Sequence, residues 1–166
     1  MNVAILVEDL FDERELIYPF YRFKEEGYKV LTISTIKNEI VSKHGYKLKT
    51  DFKIDEIENK EFDIIFIPGG FSPDKLRSNN KILNFVKEHF YQNALICAIC
   101  HGPWVLISAG ILKGKKATGY FSIKDDIINS RAIYINTKVV KDNNIITATD
   151  PSALPEMMKK IFTHFQ

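Results

Sequence analysis

Short apolar segments alternate with amphipathic segments along most of the chain. Four of the apolar segments are rich in β-branched residues, which is typical of strands buried on both faces of a parallel sheet. These predicted strands are Asn2 to Val7, Lys29 to Ser34, Asp63 to Pro68 and Ala94 to Ile99. Between and after them lie four predicted helices, Glu13 to Glu26, Lys81 to Tyr91, Gly102 to Ala109 and Ala153 to Phe165. The alternation predicts an α/β fold with a flavodoxin-like, doubly wound and mainly parallel sheet that has helices on both faces.

Two segments depart from this alternation. Lys37 to Ile54 mixes polar and apolar residues at short spacing around Gly45, and Ile133 to Thr149 has the pattern of two strands around a turn at Asp142 to Asn144. We expect short antiparallel additions in both places. The chain has 166 residues, no internal repeat and no linker-like stretch. We therefore expect one domain, residues 1–166.

Charge and hydropathy exclude several classes of partner. The 23 basic and 21 acidic residues are interleaved and leave a net charge of +2, so we expect neither a nucleic-acid partner nor a membrane surface. Val3 to Val7 is too short for a signal peptide, and no apolar run approaches the length of a membrane span. We expect a cytoplasmic protein whose two cysteines, Cys97 and Cys100, are reduced.

The segment from Ala94 to Ala109 carries the strongest chemical signal. An apolar strand passes through Cys100-His101-Gly102-Pro103 into a helical pattern, and this arrangement is typical of a nucleophile elbow. Gly102 relieves crowding at the turn, and Pro103 is suited to the first helical turn. A thiol at the positive end of a helix should have a lowered pKa and act as a nucleophile. The alternative is that Cys100 is a small buried apolar residue.

Cys97 and Cys100 together form a Cys-x-x-Cys sequence, which suggests redox chemistry. Within a strand, however, positions three apart point to opposite faces and lie roughly 10 Å apart. This separation exceeds the ~7 Å limit between the Cα atoms of a disulfide. We predict that Cys97 is a core residue and that the chain has no metal site.

Two further turns follow predicted strands at the same edge of the sheet. Gly69 and Gly70 follow the third strand, and their N–H groups, together with that of His101, are candidate donors to an oxyanion. The acidic turn after the first strand contains Asp12 and Glu15. At this edge Glu15 could hydrogen-bond the Cys100 sulfur and tune its ionisation, but Asp12-x-x-Glu15 is also a capping box, and the sequence pattern favours the cap.

With these residues in place, the chain closely resembles the PfpI family of the ThiJ/PfpI superfamily, over nearly its whole length. That superfamily includes intracellular cysteine peptidases, glyoxalase III enzymes and protein deglycases, and the resemblance implies a fold like that of class I glutamine amidotransferases. The motifs that carry it are Ile67-Pro-Gly-Gly70, Ala98-Ile-Cys-His-Gly-Pro103, Glu15-Leu-Ile-Tyr-Pro19, Lys43-His-Gly-Tyr46 and Ile123-Lys-Asp-Asp-Ile-Ile-Asn129.

The resemblance implies a set of site residues. Cys100 is the nucleophile, Glu15 is the carboxyl group beside its sulfur, and His101 is the general base or acid. Gly70 and His101 supply oxyanion-hole N–H groups, and the pocket candidates are Asp12, Gly69 and Tyr120. In the peptidase-like branch a Glu from a neighbouring subunit orients the His, and the matching residue here is Asp74. Asp12 also stands where that branch often has Glu. The side chains of Asp12 and Asp74 are therefore each one methylene shorter than the Glu usual in that branch.

The trans-acting carboxylate implies a homodimer or a larger ring such as a hexamer. No cofactor is expected. The first hypothesis is a glyoxalase III or deglycase in which the Cys100 thiolate attacks methylglyoxal or its adducts. The second is an intracellular cysteine peptidase that uses the same thiolate for acyl transfer. The third is a redox or stress-response sensor in which Cys100 is oxidised to a sulfinate.

Overall fold

A seven-stranded sheet forms the centre of the protein in a computed structural model that describes residues 1–35, 39–57 and 60–166. The eleven described strands are β1 (Asn2–Leu6), β2 (Lys29–Ser34), β3 (Glu39–Val41), β4 (Lys47–Lys49), β5 (Phe52–Lys53), β6 (Ile64–Ile67), β7 (Leu95–Ile99), β8 (Lys116–Ala117), β9 (Ile133–Tyr134), β10 (Val139–Asp142) and β11 (Ile145–Ala148). The order in the central sheet is β10-β11-β7-β6-β1-β2-β5, and the pairs are parallel except β10 with β11.

The α-helices cover both faces of this sheet. They are α1 (Glu13–Glu25), α2 (Ser72–Arg77), α3 (Asn80–Tyr91), α4 (Pro103–Ser108), α5 (Lys124–Asn129) and α6 (Leu154–Phe162). Short 3₁₀ turns lie at Ile54–Glu56, Phe121–Ile123, Pro151–Ala153 and Thr163–Phe165. No helix in the described ranges combines the length and the apolar character that a membrane crossing requires. The predicted fold, a doubly wound and mainly parallel sheet, is confirmed.

Side-chain alternation along the strands divides the core into two layers. Successive residues of β6 point to opposite faces, so that Ile65 packs with the helices α3, α4 and α5 while Phe66 packs with α1 and α6. All residues of β6, β7 and β11 are buried. Because both faces are covered, β6 and β7 are apolar throughout, which is the pattern that made them recognisable in the sequence.

The four predicted strands and four predicted helices are present, with ends that differ by a few residues. The antiparallel pair expected within Ile133 to Thr149 is β10 with β11, and β3 with β4 forms the antiparallel pair expected after Lys37. Lys37 itself lies outside the described residues. The sequence reading missed α2 and α5, which have six residues each, because two turns of helix are too short to establish a 3.6-residue period.

The carboxyl ends of β1, β6 and β7 meet at one edge of the sheet. There the loop after β1 pairs with the loop after β6: Phe11 forms an antiparallel bridge with Gly70, and the Phe71 N–H donates to the Leu10 carbonyl at 2.8 Å. Lys43 joins them through its N–H, which donates to the Phe11 carbonyl at 3.0 Å. Three loops that are distant in sequence thus meet beside the end of β7.

Gly70 should be intolerant of a side chain for two reasons that can be separated. Its φ is +74°, and an added Cβ would lie 2.5 Å from the Leu10 carbonyl oxygen. Gly110 has the same φ of +74° but open space around its Cα. We expect Gly110→Ala to lower the free energy of unfolding by about 1–2 kcal/mol through backbone strain alone. Gly70→Ala should cost about 1–3 kcal/mol more through crowding. Urea denaturation of both variants measures the difference, and equal losses would contradict the crowded loop junction.

Candidate active site

Cys100 lies at the turn between β7 and α4, where the chain changes from strand to helix. Its φ is 61°, which is unusual for a residue with a Cβ. Such strained positions concentrate at functional sites. The side chain is only 9% exposed, so the sulfur is close to the surface without being open to bulk water. The predicted elbow geometry is therefore present, and strain together with position argues against an ordinary buried cysteine.

Gly102 and Pro103 allow the turn to be tight. A Cβ on Gly102 would lie 2.6 Å from the Ile67 carbonyl oxygen and 2.8 Å from that of Ile99, so β6 and β7 leave no room for a side chain. Pro103 is the first residue of α4, where a missing backbone donor costs nothing. Both predicted roles are confirmed.

The Glu15 side chain lies beside the elbow and does not form the second half of a capping box. The Asp12 side chain does cap α1, by accepting from the Arg14 N–H at 3.0 Å. The Glu15 carboxyl is instead fully buried, and its Oε2 accepts from the Gly69 N–H at 2.6 Å. It also lies beside the Cys100 thiol, close enough for each group to shift the pKa of the other. The cap that the sequence pattern favoured thus holds for Asp12 alone.

Burial and proximity change the acidity of both groups in this pair. Burial is the main reason that the pKa of Glu15 rises to about 7, and the negative charge of Asp12 adds to the effect. Burial likewise raises the pKa of the Cys100 thiol to about 12, with the charge of Glu15 as the second cause. Two negative charges are unfavourable in this space. The pair therefore holds two protons below about pH 7 and one proton above it.

The expectation that the elbow lowers the pKa of Cys100 is wrong for this resting site. The sequence showed the helix N-terminus but not the depth at which the sulfur lies or the carboxyl that faces it. The backbone N–H groups of Gly70 and His101 act to lower the pKa of the Cys100 thiol, but they do not outweigh burial and the charge of Glu15. Ionising this thiol requires that its proton move to a neighbouring base.

His101 is placed to be that base. Its Nδ1 is 3.2 Å from the Cys100 Sγ, and its Nε2 is 3.3 Å from the Ser122 Oγ. The ring lies against Tyr120 at 5.1 Å and Trp104 at 5.0 Å between ring centres. Burial, followed by the charge of Lys43, lowers the pKa of His101, and Asp126 acts in the opposite direction. The imidazole is therefore neutral near pH 7 and able to accept a proton.

Asp12 stays ionised at the rim of this site. Burial opposes its ionisation, but hydrogen bonds and ion pairs with Arg14 and Lys43 prevail and hold the pKa of Asp12 well below its usual range. The Lys43 Nζ and Arg14 Nη2 atoms each lie 2.7 Å from Asp12 Oδ2. Lys43 also lowers the pKa of Glu15 and of His101 through its charge. It is thus the cation that balances the acidic side of the site.

The backbone donors divide between two tasks. The Gly69 N–H is used by Glu15, whereas the N–H groups of Gly70 and His101 favour the charged form of the Cys100 thiol. Gly69 must remain a glycine because an added Cβ would lie 2.6 Å from both Cys100 Cβ and Glu15 Oε2.

The remaining predicted site residues are placed as follows. Tyr120 lies beside Cys100, since its N–H donates to the Cys100 carbonyl at 2.9 Å. Asp74 is exposed on α2, and the ring nitrogens of His101 are hydrogen-bonded to Cys100 and Ser122. Cys97 is fully buried in β7 and, like Cys100, is a free thiol. No group of three or more ligating side chains that could hold a metal occurs within the described part of the chain.

The sequence reading missed three residues around His101: Ser122, Trp104 and Asp126. Trp104 Nε1 donates to Asp126 Oδ2 at 2.8 Å, and this pair closes one side of the ring. Lys43 and Asp126 fall within motifs that carry the family resemblance, so a signal for them was present. Ser122 had none, because only the fold brings residues 101 and 122 together.

The fold and site together define an α/β protein with a strained cysteine on a strand-to-helix elbow, flanked by a buried carboxyl and an imidazole. The sequence matches the DJ-1/PfpI family over residues 1–164. The chain belongs to this family. It is 41% identical over 160 residues to "Deglycase PfpI" of Pyrococcus furiosus, with 96% of each chain covered. It is 42% identical over 154 residues to "Putative cysteine protease YraA" of Bacillus subtilis, covering 92% of this chain and 91% of that one.

A solved structure supports the same assignment. A two-domain protein of Anabaena variabilis, which contains DJ-1/ThiJ/PfpI-like and ferritin-like domains, matches with a TM-score of 0.96 and 36% identity. The match covers 99% of this chain and 50% of that one. This chain therefore spans half the length of that two-domain protein.

The raised pKa of Glu15 makes a prediction for stability. Its folded value of about 7 exceeds its ordinary value of 4.5, so the folded state holds a proton that the unfolded state releases between these pH values. Stability from this group is complete below pH 4.5 and falls as pH rises to 7, by on the order of 3 kcal/mol. At position 15, Glu15→Gln has no group that titrates between pH 4.5 and 7. We therefore expect its free energy of unfolding, minus that of wild type, to increase by this amount as the pH rises from 4.5 to 7.

Urea denaturation at several pH values measures this change. Glu88→Gln, which alters an exposed carboxylate on α3, serves as the control and should track wild type. A difference between Glu15→Gln and wild type that does not vary with pH would contradict the buried, protonated carboxyl.

Proposed function

We propose that the protein is a cofactor-independent glyoxalase III or deglycase that acts on methylglyoxal or its adducts through Cys100. The observation that carries this proposal is the contact of one thiol with both a protonatable carboxyl, Glu15, and a neutral imidazole, His101. Conversion of a dicarbonyl to a hydroxy acid requires proton transfers in both directions but no external oxidant. The deglycase name of the P. furiosus relative supports the same reaction class. We place the reaction in the cytoplasm, where thiols stay reduced.

The proposed reaction begins with addition of the Cys100 sulfur to the aldehyde carbon of methylglyoxal. The thiol proton passes to His101 Nδ1 as the S–C bond forms, and the carbonyl electron pair moves to oxygen, which is protonated to give a hemithioacetal. The hydrogen on the former aldehyde carbon then leaves as a proton while the ketone oxygen takes up a proton, which gives an enediol. A proton is next delivered to the carbon of the former ketone as the hydroxyl on the first carbon loses its proton. The first carbon becomes a thioester as the second becomes an alcohol, and water hydrolyses the thioester to lactate and free thiol.

Glu15 and the backbone donors have distinct roles in this scheme. Near pH 7 Glu15 is able to give and take protons beside the sulfur, which suits the transfers between the two carbons. The N–H groups of Gly70 and His101 stabilise the oxygen that gains negative charge when sulfur adds. Tyr120, Asp12 and Gly69 line the space around the reacting carbon in this proposal.

Methylglyoxal conversion should depend on Cys100 and not on Cys97. We expect Cys100→Ser to lower the rate of lactate formation by at least about two orders of magnitude, since a serine hydroxyl is a far weaker nucleophile beside the same base. Cys97→Ser is the matched control, and it should retain activity in proportion to the protein that folds. Lactate is measured enzymatically in rigorously purified protein. Equal rates for Cys100→Ser and wild type, or no lactate from wild type, would contradict the proposal.

The second candidate function is an intracellular cysteine peptidase, which the name of the B. subtilis relative favours. The same thiol would attack a peptide carbonyl, with Gly70 and His101 as the oxyanion donors. We expect the two functions to separate with fluorogenic peptides. Cleavage that disappears in both Cys100→Ser and His101→Ala, in a preparation that forms no lactate, would favour the peptidase.

We further propose that the protein assembles as a homodimer or a hexamer-like ring in which Asp74 of one copy approaches His101 of another. Asp74 is exposed on α2, and Phe71 beside it is 63% exposed, so a carboxylate and an apolar surface are available together. Phe121, next to Tyr120, is 74% exposed. In this proposal it belongs to the surface around His101 that contacts α2 of the other copy. An apolar contact between copies would bury these side chains.

Assembly and activity should then be linked. We expect sedimentation analysis to show an oligomer, and activity per chain to fall on dilution below its dissociation range. Asp74→Asn should lower activity without dissociating the oligomer, whereas Asp125→Asn, an exposed carboxylate on α5, is the control. A monomer whose Asp74→Asn variant has full activity would rule out the trans-acting carboxylate.

A further inference from the structure

The imidazole of His101 has a polar partner at each ring nitrogen and an aromatic neighbour on two sides. Its Nδ1 faces the Cys100 sulfur at 3.2 Å and its Nε2 faces the Ser122 hydroxyl at 3.3 Å. Trp104 meets the ring at 71° and Tyr120 at 31° between planes. A ring turned by 180° about χ2 would lose both polar partners. The hydrogen bond to Ser122 therefore helps to keep the base aimed at the thiol.

The backbone fixes Ser122 at this position. The Tyr120 N–H donates to the Cys100 carbonyl at 2.9 Å, which attaches the segment to the elbow itself. Ser122 is in the middle of the 3₁₀ turn Phe121–Ile123, and Ile123 is 1% exposed and anchors the end of that turn in the core. Ser122 itself is exposed. Its hydroxyl thus lies between the ring and solvent.

A hydroxyl at this position has a different effect from a carboxylate. A carboxylate only accepts hydrogen bonds, so it would keep a proton on Nε2 and favour the charged imidazolium. A serine hydroxyl both donates and accepts, so it pairs with either neutral form of the ring. Among the charged groups that act on His101, Lys43 opposes protonation and Asp126 favours it, while Asp126 is itself hydrogen-bonded to Trp104. The arrangement suits a neutral base.

We infer that Ser122 is the positioning residue of His101 within a single chain and the first step of the ring's proton route to solvent. In the resting ring Nε2 carries the hydrogen and Nδ1 is free. As Nδ1 takes the proton of the Cys100 thiol, Nε2 releases its own proton to the Ser122 oxygen, and the original hydroxyl proton passes to water. The ring ends neutral and the thiolate remains. This inference deepens the proposed function and rests on it for its meaning in turnover.

The inference is tested by the rate at which iodoacetamide alkylates Cys100, measured by mass spectrometry. The proteins compared are wild type, Ser122→Ala and Ser122→Thr. We expect Ser122→Ala to slow alkylation roughly two- to tenfold at pH 7, the effect of one neutral hydrogen bond. Ser122→Thr retains the hydroxyl and should restore most of the rate. The difference in alkylation rate between Ser122→Ala and wild type should disappear at a pH low enough to protonate His101, because the protonated ring cannot act as a base.

Ser130→Ala is the matched control for local loosening. Ser130 lies at the other end of α5, and its hydroxyl donates to the Ile127 carbonyl at 2.6 Å without contacting the site. It should alkylate at the wild-type rate. No deficit in Ser122→Ala, an equal deficit in Ser122→Thr, or a deficit that persists unchanged at low pH would overturn the inference.

The outcome is separable from that of the proposed function. Alkylation requires only the thiol and its base, so it reports on Ser122 even if wild type forms no lactate. If wild type does convert methylglyoxal, Ser122→Ala should lower kcat by a similar factor with little change in KM, because Ser122 acts through His101 and not on the substrate. If wild type forms lactate but Ser122→Ala is alkylated at the wild-type rate, the proposed function stands and the role of Ser122 is ruled out.

Discussion

The contact between the buried Glu15 carboxyl and the Cys100 thiol is the interaction on which the rest of the site depends. It requires α1 to begin where it does, so that Glu15 on the first turn points into the sheet edge, and Asp12 secures that start as the N-cap. It also requires a residue without a side chain at position 69, since any Cβ there would collide with both groups. The strained φ of Cys100 brings the sulfur to the same point from the other side.

Electrostatic balance explains the residues around this contact. A carboxyl and a thiol buried together cannot both be charged, and Asp12 adds a third acidic group nearby. Lys43 and Arg14 offset Asp12, so the acidic cluster remains compatible with folding. Above about pH 7, what is left is a pair that holds one proton, with a neutral histidine beside it. This arrangement favours transfer of protons over storage of a permanent thiolate, and it is why we favour isomerisation of a dicarbonyl over a reaction that needs only a strong nucleophile.

The sequence was sufficient for the sheet and for the elbow, for physical reasons that particular residues illustrate. Strands buried on both faces, such as β6 and β7, must be apolar throughout, and Cys-His-Gly-Pro after such a strand leaves few conformations open to Cys100. The role of Glu15 could not be read from local pattern, because a cap and a site residue share the same spacing. The acidity of Cys100 was misjudged because burial depends on the loops that meet over it. Ser122 could not be identified from the sequence, because only the tertiary fold brings it next to His101.

The claim that Glu15 and Cys100 share one proton is tested most directly by the pH dependence of Cys100 alkylation in wild type and in Glu15→Gln. Coupled groups titrate as a pair, so the wild-type rate should rise with pH up to about 7, where Glu15 titrates, and then level off. Glu15→Gln lacks the carboxyl charge, so its alkylation rate should show no inflection near pH 7 and should continue to increase with pH. The profile should then follow a single thiol pKa below the wild-type value of about 12. Superimposable profiles, or a single titration near the ordinary value of ~8.5 in both proteins, would contradict the account.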